Sequence, residues 1–479
     1  MRNYIFIGLG PHSRKIYYPY LEKYRKKYNI NIPLLIDLKD QQKIINKYLK
    51  DKELKPDKIL YLEPDQNNRL GKKLDDKAKK YLDNLIKKEK INGVIIATEP
   101  KAHKIYLKWA FENNISVLVD KPLTSPVGAG VDIKAARQVY KDYLDVMSWL
   151  KNSKSKCYVV VQRKGHDGYI HVWEYLNDFV KKYGIPISYI DSYFADGTWT
   201  LPNEFDKENH PYKYGYGKLM HSGYHSIDLL NWIVGINDQI KAKKPNKIRL
   251  YANKFSPNDF LFQINNNDYK KLFNQNERIE KFFDSYTPQN YKDYGELDVF
   301  IMAQFLRDDK VITTSTITLQ QNSFSRRAWS DMPEDPYKKN GRLRHERQNI
   351  QVSNLLNVQI HTYQSYEALN KEAEQDTVKG LGHEHHFDVF FFRNTGLIGG
   401  KTLEKFRYGI SMFKKYKKDK YYMGHNEKGK DRIILNFIKE KPDNCELQYH
   451  DLTNKLLSKI YEVLAKLNKD EIPYTTLDI

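Results

Sequence analysis

Residues 4–13 read YIFIGLGPHS, an apolar run that stops at two glycines and a proline. A buried strand followed at once by Gly8 and Gly10, with a helical pattern opening behind them, is the setting a phosphate-binding βα turn requires. Gly8 permits a tight turn, Gly10 lets the backbone approach a diphosphate, and Pro11 and His12 open the helix, where proline is tolerated. Ser13 stands where a third glycine would complete G-x-G-x-x-G, so the fingerprint is incomplete. An ordinary strand-to-helix turn can look the same, and the decision falls to residues further along.

The stretches around it repeat one rhythm. IPLLID (32–37), ILYL (59–62), GVIIAT (93–98), SVLVD (116–120) and CYVVVQ (157–162) are near-continuous apolar runs, the pattern of strands buried on both faces of a parallel sheet. Between them lie segments long enough for helices, at 13–28, 73–89, 103–113 and 133–151. Such alternation predicts a doubly wound α/β Rossmann domain over residues 1–165. The second apolar run ends in Asp37, placed to accept both hydroxyls of an adenosine ribose, which favours NAD over NADP. Lys39 weakens that preference, and a plain surface carboxylate at a strand end is the bland alternative.

From 166 the texture changes. HVWEYLNDFVKKYG and GKLMHSGYHSIDLLNWIVG read as helices; KIRLYANKF, ELDVFIMAQFL, VITTSTITLQQ and NVQIHTYQSYE read as strands. Only RDDK separates ELDVFIMAQFL from VITTSTITLQQ, which predicts an antiparallel hairpin. The expectation for 166–479 is an α+β domain on a large, mostly antiparallel open sheet. It includes a long polar loop at 323–349 and a helical C-terminal segment. With 479 residues, two domains are expected on length alone.

Two cysteines exclude a disulfide framework or a cysteine-rich zinc site. No run approaches the ~18 apolar residues of a membrane span, and MRNYIFIGLG lacks the form of a secretory signal. A cytoplasmic protein with no membrane partner is expected. The formal charge of +20 is spread over amphipathic segments such as KKLDDKAKKYLDNLIKKEK, so no specific nucleic-acid partner is expected. A field of that sign does favour anionic small molecules.

Three further motifs carry chemistry: ATEPKAH (97–103), Asp120-Lys121-Pro122 at a strand end, and GYGKLMHSGYHSIDLL (215–230). In order, they resemble the signatures of the glucose-fructose oxidoreductase / inositol dehydrogenase / MocA-like (Gfo/Idh/MocA) family. Thr98, Pro100 and His103 resemble its T-P-x-x-H, with Glu99 inserted. Asp120-Lys121-Pro122 resembles its E-K-P, with aspartate for glutamate. Gly215, Gly217, Gly223, His225, Asp228 and Gly235 fit its glycine-rich helix segment. The resemblance covers roughly residues 3–240. It implies an NAD(P)-dependent oxidoreductase acting on a carbohydrate-like alcohol, phosphorylated or nucleotide-linked forms included, and a homo-oligomer built through the C-terminal sheet.

It also implies roles. Gly8, Gly10, Pro11, His12, Ser13, Asp37, Thr98, Pro100, His103, Asp120 and Lys121 would hold the dinucleotide. Lys121 would face the reacting hydroxyl, His225 would carry its proton, and Arg163 and Asp228 would meet substrate; apart from the resemblance, Trp199 in DGTWTLP stacks on a sugar ring or fills core or loop. His221 departs from the family, which has an aspartate there; it joins His225 in a pair, contacts substrate alone, or marks a regulator or scaffold without turnover. An NAD-dependent glycoside-cleaving enzyme is a further alternative.

His221 and His225 also have the helical i, i+4 spacing of metal ligands, and His383-Glu384-His385-His386 adds imidazoles. H-E-H-H is not H-E-x-x-H, however, and a strand follows it, so no metal is expected. Arg342, Arg344, His345, Glu346 and Arg347 fall in the expected loop, as anion-binding forks or as a solvated surface.

Overall fold

The computed structural model describes residues 1–197, 205–206, 208, 211–265, 267–268, 271, 291–324, 340–367, 386–408 and 425–479. The chain divides into two compact units. The first comprises Met1–Pro126, Gln138–His166 and Lys417–Lys455; the second comprises Val127–Arg137, Asp167–Tyr416 and Leu456–Ile479.

In the first unit, β1 (Arg2–Ile7), β2 (Ile30–Leu38), β3 (Ile59–Leu62), β4 (Ile91–Ile96), β5 (Val117–Asp120) and β6 (Cys157–Val160) form one sheet in the order β3-β2-β1-β4-β5-β6. All five pairings are parallel. This is the doubly wound order, with its switch point between β1 and β4, where such sheets bind ligands at their carboxyl ends. Ile5, Phe6, Leu34, Leu35, Val94, Ile95, Leu118 and Val159 are all buried, as strands covered on both faces require.

The C-terminal helical segment, assigned whole to the second domain from sequence, is divided between the units, Lys417–Lys455 falling in the first and Leu456–Ile479 in the second. The His425–Lys439 helix belongs to the first unit. Its Ile433, Ile434 and Ile438 are buried, and the Phe437 ring packs on Tyr4 and Tyr158 at 5.4 and 5.6 Å. Gly93 clears the way, since a Cβ there would stand 2.5 Å from that ring. Four such apolar side chains, at about 1.5–3 kcal/mol each when fully buried, anchor the helix to a sheet formed hundreds of residues earlier.

The second unit is built on β7 (Tyr189–Gly197), β8 (Lys247–Phe255), β9 (Asp298–Arg307), β10 (Lys310–Gln320), β11 (Asn340–Val352), β12 (Leu356–Glu367), β13 (His386–Arg393), β14 (Leu403–Arg407) and β15 (Tyr474–Asp478). Their order is β14-β13-β12-β11-β7-β10-β9-β8-β15, antiparallel throughout except between β7 and β10. The expected hairpin is β9–β10. It closes at Asp308 and Asp309, whose φ values of 49° and 64° are those of a two-residue primed turn.

One face of this sheet is covered by the Asp167–Tyr183 helix, through Tyr169 against Phe387 (5.0 Å) and Tyr175 against Phe391 (4.2 Å). The opposite face carries a row read off the register: Tyr251, Met302, Thr316, Asp191, Asn349, Gln359 and Phe390.

Part of the expected loop at 323–349 is β11; residues 325–339 lie outside the described residues. The strand escapes notice because its residues are polar, and their charges are met across the sheet. Arg344 Nε lies 3.0 Å from Asp196, Arg347 lies 3.5 Å from Asp191, and the Ser192 hydroxyl donates to Gln348 at 2.5 Å.

Candidate functional site

The turn after β1 is held from three sides. Gly8 adopts φ +86°, and a Cβ on it would stand 2.5 Å from the Thr98 amide nitrogen, so only glycine fits where the β1 and β4 ends converge. The Gly8 amide donates to Ile36 O at 2.9 Å. Asp37 closes the turn: one carboxylate oxygen accepts the Leu9 amide at 2.5 Å and the other accepts its neighbour Leu38 at 2.7 Å. Burial pushes Asp37 up to about 6, against the pull of those two amides. It is ionised at neutral pH and half-buried. A carboxylate has about four acceptor positions, so two remain for a ribose.

Gly10 differs from Gly8. A Cβ built on it meets nothing within 4 Å, so the space above the turn is open to a ligand. Pro11 begins the short Pro11–Lys15 helix. Ser13, which replaces the third glycine, is buried and donates to Ala97 O at 3.1 Å. It thus ties helix to strand, so the departure from the pattern leaves the close packing intact. Lys39, on the β2 side, is exposed and paired with Glu63 at 2.8 Å.

His103 is wholly buried. Its Nδ1 lies 3.2 Å from Leu123 O and its Nε2 3.0 Å from Thr98 O. Burial lowers its pKa, against the support of those carbonyls, so the neutral ring is the favoured form. The structure therefore places His103 as a tie between the segments following β4 and β5, behind the surface a dinucleotide would meet. Those segments carry Thr98, Pro100 and Lys121. Asp120 receives the Lys121 amide at 2.9 Å, and its other oxygen lies 4.0 Å from His12 Nε2. The Lys121–Pro122 bond is cis, and Lys121 is half-buried. Lys430, absent from the sequence reading, brings its Nζ to 3.2 Å from His12 Nε2. Arg163, just beyond β6, is buried at 5% exposure.

In the second unit, 215–230 is not one regular helix. Leu219–Gly223 forms a π turn that passes into the Tyr224–Val234 α-helix. The i, i+4 geometry expected for His221 and His225 is thereby altered, since His221 sits in the wider turn; such turns recur at functional sites. His221 is half-buried, edge-on to Tyr212 at 5.4 Å and to Tyr216 at 5.9 Å. His225 and Asp228 are buried at 6% and 1% exposure.

Two residues that sequence reasoning missed fix this entry. Glu296 is fully buried and accepts from Gly217 N (3.1 Å), Leu219 N (2.9 Å) and Tyr461 OH (3.0 Å). Burial raises its pKa. The backbone runs so close that a Cβ on Gly217 would stand 2.0 Å from Glu296 O. Lys218, at 2% exposure, bonds Asp196 at 2.7 Å, and Arg344 takes the other Asp196 oxygen. No local pattern marks these partners, which lie 22 to 165 residues away in sequence.

Trp199 and His383 to His385 lie outside the described residues. His386 is buried on β13 with Nδ1 3.3 Å from Asp388. Although burial works to raise it, Asp388 is held at about 2 by the adjacent His386 ring and by the Arg407 guanidinium, which donates to both its oxygens. Among the described residues no group of three or more His, Cys, Asp or Glu is placed to hold a metal ion, and no helix is long and apolar enough to cross a membrane.

Residues 39–166 match the family described as oxidoreductase family, NAD-binding Rossmann fold, the NAD-binding domain of the Gfo/Idh/MocA group. Over those residues the chain is similar to an NAD(P)-binding Rossmann domain of that family. Solved structures share the fold of the whole chain. A levoglucosan dehydrogenase in complex with NADH and levoglucosan is 10% identical, with a TM-score of 0.56 over 100% of this chain and 99% of the other. An oxidoreductase from Agrobacterium radiobacter, in complex with NAD+, L-tartaric acid and magnesium, is 10% identical, with a TM-score of 0.54 over 100% and 98%. A 3-ketoreductase from Actinomadura kijaniata, with NADP and TDP-benzene, is 10% identical, with a TM-score of 0.51 over 95% of each. No curated protein matches the chain in sequence.

Proposed function

We propose that the protein is an NAD(P)-dependent oxidoreductase that moves a hydride between the nicotinamide and a carbinol carbon of a sugar, a polyol or a derivative of one. One observation carries the reading. The first unit, in which residues 39–166 match the family, has just ahead of that match a glycine turn whose Gly10 face is open and whose Asp37 keeps acceptor positions, with Lys121 at the end of β5 in the same unit. These residues fit a dinucleotide. Asp37 would take the adenosine ribose, and the turn would take the diphosphate. A carboxylate there repels a 2′-phosphate, and Lys39 is already engaged by Glu63, which supports NAD over NADP.

When bound, the nicotinamide supplies the hydride acceptor or donor. In the oxidation direction, Lys121 donates a hydrogen bond to the substrate oxygen as negative charge develops on it. A ring nitrogen of His225 takes the hydroxyl proton while the carbinol hydrogen leaves as hydride. Imidazole suits this because its unperturbed pKa lies near neutrality. Asp228 and Arg163 are assigned to substrate contact, and His221 to binding a substrate hydroxyl beside His225. The levoglucosan and TDP-linked neighbours support a carbohydrate-type substrate. We assign the exposed Tyr251, Phe300, Met302 and Phe392 on the open face of the nine-stranded sheet to homo-oligomer contact.

The test is to incubate purified protein with NAD+ and a panel of free, phosphorylated and nucleotide-linked sugars and polyols while following NADH absorbance. Net NADH with at least one member supports the reading. Bound cofactor with no redox change across the panel, in either direction, would point to a binding protein. Cleaved glycoside without accumulated NADH would point to transient oxidation.

A further inference from the structure

His12 stands in the first turn after Gly10, and its Nε2 is approached by Lys430 Nζ at 3.2 Å and by Asp120 at 4.0 Å. Lys430 reaches this place from 418 residues away in sequence. Lys430 is only 5% exposed, and the backbone that carries it is fixed on both sides. A Cβ on the preceding Gly429 would stand 2.3 Å from Gln162 O, so the helix backbone lies directly on the segment after β6. The following residue, Asp431, is held by Lys23 at 2.9 Å and Tyr24 at 2.7 Å, and Tyr20 OH donates to Glu427 O at 3.2 Å. The ammonium is therefore held against His12, in the first turn after Gly10, by packing rather than by a flexible stem.

Sheet order says which part of a dinucleotide lies beneath it. Asp37 ends β2 on one side of β1; Asp120 ends β5, two strands away on the other side. With the adenosine ribose at Asp37, a dinucleotide crosses the turn toward β5, and its diphosphate passes between the two acids. The Lys430 and His12 pair sits at the β5 side of that crossing, remote from the β2 edge where a 2′-phosphate would fall.

We propose that Lys430, with His12, forms a diphosphate subsite above the glycine turn, so that the C-terminal helix contributes directly to holding the cofactor. The inference rests on the dinucleotide reading above. An ammonium donating to a phosphate oxygen makes a charge-assisted bond, stronger than the neutral amide bonds of the turn. The lysine in turn donates to His12 Nε2, which fixes the imidazole proton on Nδ1.

The experiment is fluorescence titration of wild type, Lys430→Met and Lys430→Arg with NADH and NADPH, together with calorimetric titration with ADP-ribose and adenosine. Lys430→Met is expected to weaken NADH, NADPH and ADP-ribose by a common factor of about 30, and to leave adenosine within about twofold. Lys430→Arg is expected to restore most of the loss, and the wild-type affinity to fall more steeply with salt than that of Lys430→Met. Unchanged NADH affinity in Lys430→Met would overturn the inference, as would equal weakening of adenosine, which would mean that the lysine shapes the turn only. A loss confined to NADPH would place it at the 2′-phosphate instead and overturn it too. Wild type that binds neither NADH nor ADP-ribose would sink the dinucleotide reading itself and this inference with it.

Discussion

Asp37 and Glu296 do the same local job in the two units and differ in what they leave over. Each is a carboxylate that accepts two backbone amides and fixes a turn rich in glycine: Leu9 and Leu38 for Asp37, Gly217 and Leu219 for Glu296. Burial raises both, Asp37 to about 6. Asp37 is half-buried and retains open acceptor positions, whereas Glu296 is at 1% exposure with Tyr461 as a third donor on the same oxygen. Asp37 is thereby left partly accessible, and Glu296 is enclosed. The first turn is thus built to receive something, and the second is built to hold the helix carrying His225.

The comparison can be broken in several ways. Exchanging Lys121 for Met should reduce turnover by about 100-fold, because a donor to developing negative charge is lost. NADH affinity should change by no more than about threefold, as read by steady-state kinetics beside a binding titration. An equal loss in both would make Lys121 a cofactor ligand alone.

Gly8→Ala should destabilise the fold by about 1–3 kcal/mol, since φ +86° and a 2.5 Å approach to Thr98 both oppose a side chain. Gly10→Ala should leave the denaturation midpoint unchanged while weakening NADH. Matching stability losses in the two variants would erase the distinction between the braced and the open glycine.

The next effect is on pH. Asp37 accepts ribose hydroxyls as the anion, and its raised value of about 6 means that it gains a proton below that pH. NADH affinity should hold above pH 6 and fall toward tenfold per unit below it. An Asp37→Asn variant should bind about tenfold more weakly at neutral pH and lose this dependence. A flat wild-type profile between pH 5 and pH 7 would remove Asp37 from the site.

The smallest change is expected for Glu296→Gln. The ionised group is disfavoured by burial, so a neutral amide that keeps the accepting oxygen should shift stability by less than about 1 kcal/mol and turnover by less than about threefold. A large fall in turnover would give Glu296 a charge-dependent role that the geometry does not require.

How much of this was legible in the sequence follows from the range of the interactions. The parallel sheet was, because strands buried on both faces write themselves as apolar runs. The glycine turn, Asp37 and the Asp120-Lys121-Pro122 segment lie at the ends of those runs. β11 was hidden, because its polar residues are satisfied by partners on β7, more than 140 residues away in sequence. Lys430 was hidden for the same reason, as one of many lysines on a helix that gave no sign of returning to the first unit. The π turn was misread as regular helix, since the clamp imposed by Glu296 is invisible in the spacing of two histidines.

The most direct measurement is the comparison of wild type with His225→Ala under single turnover, using a substrate found in the panel and saturating NAD+. A buried imidazole that carries the hydroxyl proton should cost about a thousandfold in the hydride-transfer rate when removed, with NADH affinity within about twofold of wild type. Undiminished hydride transfer in His225→Ala would contradict the account.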